Sequence, residues 1–82
     1  MPTILRLGPF RVVIYTADHR PAHVHVIGQG GEAVFILHCP DGPPELREAH
    51  GFNLRDVKRI ETELGPHTTA LCNGWSDIHG DF

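Results

Sequence analysis

The stretch His23-Val24-His25-Val26-Ile27-Gly28-Gln29-Gly30-Gly31-Glu32-Ala33-Val34-Phe35-Ile36-Leu37-His38 decides the fold. Two runs with a period of two flank a cluster of glycines, the residue that tolerates positive φ, so the stretch predicts strands over 23–27 and 32–38 joined by a loop at 28–31. If those four residues form the loop, Ile27 faces Glu32, His25 faces Val34, Val24 faces Phe35 and His23 faces Ile36. Alternation then puts Val24, Val26, Ala33, Phe35 and Leu37 on one wholly apolar face, which must be the core side. The other face carries His23, His25, Ile27, Glu32, Val34, Ile36 and His38. A slip of one residue would mix polar groups into the core, so the pattern selects this register.

Working outward, Phe10 to Thr16 alternates Phe10, Val12 and Ile14 with Arg11, Val13 and Tyr15, and it predicts a strand paired to one beginning at Ile4 to Leu7 across Gly8-Pro9. Asp18-His19-Arg20-Pro21 reads as a connection, because Asp bonds the backbone near it and Pro21 holds Arg20 extended. Breakers fill Cys39 to Pro44. Glu45-Leu46-Arg47-Glu48-Ala49 is a candidate edge strand whose charges discourage further pairing. Asn53 suits a helix N-cap, with Asp56 in the first turn and Leu54, Val57, Ile60 and Leu64 at helical spacing. Gly65-Pro66 predicts a stop and restart, with one kinked helix as the alternative. Leu71, Trp75 and Ile78 then mark a second amphipathic helix ending near Gly80. Trp75 is expected in the core, with its indole N–H near an edge.

The expected fold is α+β: a small antiparallel β-meander of four or five strands with one or two C-terminal helices packed on one face. At 82 residues it is one domain, 1–82, with the meander over 1–50 and the helical segment over 53–80. No apolar run approaches the roughly 18 residues of a membrane span. Met1-Pro2-Thr3-Ile4 lacks the pattern of a signal peptide, so a cytoplasmic location is expected. In that compartment Cys39 and Cys72, far apart in sequence, read as free and mostly buried thiols.

Net charge is −3 with only seven Lys and Arg, which argues against tight nonspecific nucleic-acid binding. A DNA-reading helix–turn–helix is disfavoured because the second helix, 66–80, has no Lys or Arg to contact bases or phosphates. Histidine is the outlier. Protonating all seven would carry the charge from −3 to +4, so charge-dependent associations should respond to mild acid.

The candidate chemistry centres on Asp18-His19-Arg20-Pro21-Ala22-His23-Val24-His25-Val26. One reading is a transition-metal site, Zn or Ni, using His19, His23 and His25, with Asp18 as ligand or supporting group and His38 diagonal to His23. The competing structural reading is imidazoles filling a half-buried face and bonded to carbonyls. A second functional reading is acid–base chemistry on a phosphodiester by a small ribonuclease. There His23 and His25 move protons, while Arg20, Tyr15 and Arg11 hold a phosphate. The third is a non-enzymatic interaction or dimerisation module using the open histidine face or the edge strand.

Taken together, Met1-Pro2-Thr3-Ile4, Asp18-His19-x-Pro21-x-His23-Val24-His25-Val26, Gly51-Phe52, and Trp75 followed two residues on by Asp77 resemble the bacterial family catalogued as domain of unknown function 4160. Members of that family usually read Pro-Pro where this chain has Pro21-Ala22, and they commonly run through Gly65-Pro66 without a break. The resemblance implies a small bacterial protein accompanied by another small protein, an arrangement similar to toxin–antitoxin pairs. It therefore implies a protein partner encoded nearby and an RNA-directed activity.

Overall fold

A computed structural model describes residues 3–82, so Met1 and Pro2 of the N-terminal motif lie outside the described residues. Strands β1 (Thr3–Leu7), β2 (Phe10–Val13), β3 (His23–Gly28), β4 (Gly31–Ile36) and β5 (Glu45–His50) form one antiparallel sheet in the order β1-β2-β3-β4-β5. A helical segment follows, made of α1 (Leu54–Leu64), a 3-10 turn (Gly65–His67) and α2 (Thr68–His79).

The β3–β4 register is the one the hydrophobic pattern demands, with His23 opposite Ile36, Val24 opposite Phe35, His25 opposite Val34 and Ile27 opposite Glu32. The turn is tighter than the glycine cluster suggests. Gly28 and Gly31 still pair, leaving a two-residue connection of Gln29 and Gly30 with φ of 51° and 80°. Two consecutive positive φ values give the twist that suits a short hairpin. Val24, Val26, Ala33, Phe35 and Leu37 are fully buried and join Val12, Ile14, Ile60, Leu64, Leu71 and Trp75 in one core.

Strand β2 stops at Val13, three residues short of the alternating pattern. The cause is local. Asp18 donates its backbone N–H to the Tyr15 carbonyl at 3.1 Å, and its carboxylate accepts the Tyr15 N–H at 3.1 Å. That closed turn takes Tyr15 out of the ladder and returns the chain toward β3.

Strand β5 occupies the sheet edge, and Glu45, Leu46, Arg47 and Glu48 are exposed there. Its pairing with β4 shifts between Val34 and Phe35: Val34 faces Glu48 whereas Phe35 faces Leu46. Arg47 is therefore the extra residue of a bulge. In an unbroken ladder it would oppose Phe35 on the core side. The bulge gives that position to Leu46 and sends Arg47 toward the histidine side.

Asn53 caps α1, its Oδ1 accepting the Asp56 N–H at 2.8 Å. Gly65 does not stop the helix. It keeps right-handed helical angles (φ −48°, ψ −53°), and Pro66 is accommodated by the 3-10 turn, so the segment is one kinked helix. The restart expected from Gly65-Pro66 is thus a change of pitch. Gly80, at φ 95°, ends α2. No helix among the described residues is long and apolar enough to cross a membrane.

The cysteines overturn their reading as free thiols: Cys39 and Cys72 form a disulfide that closes 33 residues of chain. Distance in sequence hid their proximity. The loop after β4 passes the first turns of α2, and the two Cα atoms lie 5.8 Å apart. The link fastens α2 to the sheet. A loop of this length implies about 3–4 kcal/mol of stabilisation. Urea unfolding with and without dithiothreitol should show that loss on reduction, and a Cys39→Ser/Cys72→Ser variant should match the reduced protein.

Candidate metal centre

His23 and His25 lie two apart on β3 and therefore share a side. The turn Tyr15–Asp18 brings the Asp18 carboxylate over that side. Asp18 Oδ2 sits 3.2 Å from His25 Nε2 and 3.5 Å from His23 Nε2. One donor atom from each of Asp18, His23 and His25 lies within 4.8 Å of the other two, an arrangement that can hold a metal ion.

The opposite edges of both rings are tied. His23 Nδ1 contacts the Pro21 carbonyl at 2.8 Å, and His25 Nδ1 contacts Glu32 Oε2 at 3.0 Å. A carbonyl and a carboxylate only accept hydrogen bonds, so each Nδ1 carries a proton and donates it. In the neutral rings both Nε2 atoms then present lone pairs toward Asp18. Oxygen acceptors on the far ring nitrogens are the usual support of metal-binding histidines, because they set tautomer and orientation.

This is an enclosed site, which corrects the expectation of an exposed histidine surface. His23 is only 6% exposed, and the Asp18 and His25 side chains are 14% exposed. His23 lies against fully buried Trp75, with ring centroids 5.2 Å apart, and does not simply point away from the core. Ring neighbours continue from Tyr15 to His25, His23, Trp75 and His79 at centroid separations of 4.1–5.2 Å. The C-terminal end is fastened beside them. Trp75 Nε1 donates to the Asp81 carbonyl at 2.9 Å, and His79 Nε2 donates to the Tyr15 carbonyl at 3.2 Å.

Two residues expected as ligands do not join. His19 is exposed on the connection, outside the convergent set. His38 lies beyond the end of β4 with φ 53°, where it is exposed and bonds Glu45 at 2.7 Å. The left-handed turn removes it from the strand alternation that had placed it diagonal to His23. Among the groups expected to hold a phosphate, Arg20 is exposed and pairs with Asp81 at 3.2 Å. Tyr15 stands edge-on to His25, whereas Arg11 lies in β2 opposite Arg6 and Ile27. Glu32 was not among the expected site residues. Its signal was the register itself, which places it on the histidine side one step diagonal from His25.

Asp18 and His23 also form part of the wall of a cleft of about 490 Å³ whose rim carries His19, Arg20 and Arg47. Two of the three convergent residues thus border the cleft.

A carboxylate facing two lone pairs is an unfavourable arrangement unless a cation joins them. Asn at position 18 can accept the Tyr15 N–H with its oxygen and donate to an Nε2 with its amide. In metal-free buffer containing a chelator, Asp18→Asn should therefore be at least as stable as the wild-type protein in urea unfolding. A loss of about 2 kcal/mol or more would instead identify Asp18 as a structural partner of a protonated histidine.

A family model described as domain of unknown function (DUF4160) matches residues 10–76, which include β2 through most of α2 and the entire histidine motif. No curated protein and no solved structure matches the chain.

Proposed function

The chain belongs to the DUF4160 family, and from that premise we propose that it binds a divalent transition metal through Asp18, His23 and His25. One observation carries this reading: two imidazoles with their Nδ1–H groups committed elsewhere aim Nε2 at one carboxylate. Zinc held by ligands at about 2.0–2.1 Å keeps tetrahedral neighbours about 3.3–3.4 Å apart. The two carboxylate–imidazole separations, 3.2 and 3.5 Å, bracket that value. Two histidines and one carboxylate leave a coordination position free, and the cleft beside Asp18 and His23 supplies access to it. Zinc is the first ion to test and nickel the second, since imidazole suits both.

A second reading has a proton in the metal's place. His25 as an imidazolium would bridge Glu32 and Asp18, a relay suited to acid–base chemistry such as RNA cleavage. Stoichiometric metal separates the two.

Protein purified without an affinity tag should take up one zinc per chain by calorimetry and elemental analysis. Asp18→Asn should abolish that uptake. Glu32→Gln, which weakens the support of His25 without replacing a ligand, should lower zinc affinity about 10- to 100-fold. A folded wild-type protein indifferent to both zinc and nickel would refute the metal reading and leave the proton relay.

A further inference from the structure

We infer that the cleft beside the metal centre takes a small phosphate monoester, whose oxyanion completes the metal's coordination while Arg47 clamps it from the rim. This rests on the metal reading above and extends it to the class of ligand.

The bulge in β5 is the first support. It turns Arg47 from the side that would face the core to the side of His23, and it places the guanidinium on the rim of the same cleft that Asp18 and His23 wall. Bulges recur where a strand must re-aim one side chain. Arg47 also lacks a carboxylate partner among the described residues. The acids near it in β5 are engaged by other groups, Glu45 by His38 at 2.7 Å and Glu48 by His50 at 3.0 Å. Imidazoles thus hold the neighbouring negative charges, and the guanidinium remains available.

The second support is the charge balance of the cleft. His19 and Arg20 stand on the same rim as Arg47, and Asp18 is the sole acid in the lining. Arg20 pairs with Asp81 where both side chains are mostly exposed, and such a pair is weak enough for a ligand to displace. A divalent ion held by one carboxylate and two neutral imidazoles keeps one net positive charge. Adding Arg47 and Arg20 makes the mouth of the cleft suited to a doubly charged oxyanion, and a planar guanidinium fits phosphate oxygens in pairs. The cleft volume of about 490 Å³ exceeds what bare phosphate fills, so an organic group can accompany the phosphoryl head.

Without the metal, the uncompensated Asp18 carboxylate in the cleft wall disfavours an anion beside it. Anion binding and metal binding must therefore be coupled.

Calorimetric titration of phenyl phosphate into the zinc-loaded chain, with phenol as the neutral control, tests this inference. Zinc content is measured separately on each sample. The expected result is saturable binding of phenyl phosphate and none of phenol. Metal-free protein should give no binding. Arg47→Ala should bind at least 10-fold more weakly with zinc content unchanged, and Arg47→Lys should recover part of the loss. A chain loaded with one zinc that binds phenyl phosphate no better than phenol, or whose Arg47→Ala variant matches wild type, overturns this inference and leaves the metal site standing. A chain that takes up no zinc overturns both.

Discussion

The two-residue turn at Gln29 and Gly30 is the constraint on which the molecule depends. Because side chains alternate along a strand, this turn assigns every residue from His23 to Ile36 to one side of the sheet. Val24, Val26, Ala33 and Phe35 go to the core, where Trp75, Leu71, Leu64 and Ile60 cover them. His23, His25 and Glu32 go to the other side, near enough for Glu32 to hold His25. A slip of one residue in this pairing would instead set polar groups of one strand among the core residues of the other. The same choice thus makes the core and assembles the site.

The site itself is held by hydrogen bonds that fix where the two Nδ1 protons go. Pro21 and Glu32 accept the Nδ1 protons, and the turn at Tyr15–Asp18 carries the third group into place with one backbone bond and one from the Tyr15 N–H to the Asp18 carboxylate. Trp75 backs His23, and the Trp75 indole and His79 fix the C-terminal end of α2 beside the motif. Buried polar groups of this kind are normally arranged to satisfy one another. Here the supporting contacts are satisfied, and the Nε2 atoms of His25 and His23 meet the Asp18 carboxylate at 3.2 and 3.5 Å. A group of one carboxylate and two imidazoles placed in this way can hold a metal ion.

Much of this was legible in the sequence, for a definite reason. Register follows from alternation and turn chemistry, both local, and so the β3–β4 pairing, the apolar face, the Asn53 cap and the presence of Asp18, His23 and His25 in the motif could be read directly. What escaped depends on contacts between distant segments or on single dihedral angles. Cys39 and Cys72 meet because the loop after β4 passes α2. His38 leaves the site because one residue turns left-handed. Arg47 reaches the cleft because of a bulge that no pattern in Glu45-Leu46-Arg47-Glu48 announces. Gly65, a helix terminator by habit, stays helical because the 3-10 turn absorbs Pro66.

The chemistry of the site turns on which ring nitrogens carry protons. Long-range ¹H–¹⁵N correlation spectra of the histidine side chains in metal-free protein at pH 8 report this atom by atom. The expected spectra show His23 and His25 both neutral with the proton on Nδ1, and zinc shifting the Nε2 resonances of these two rings alone. A doubly protonated His25, or a proton on Nε2 of either ring, would contradict this assignment.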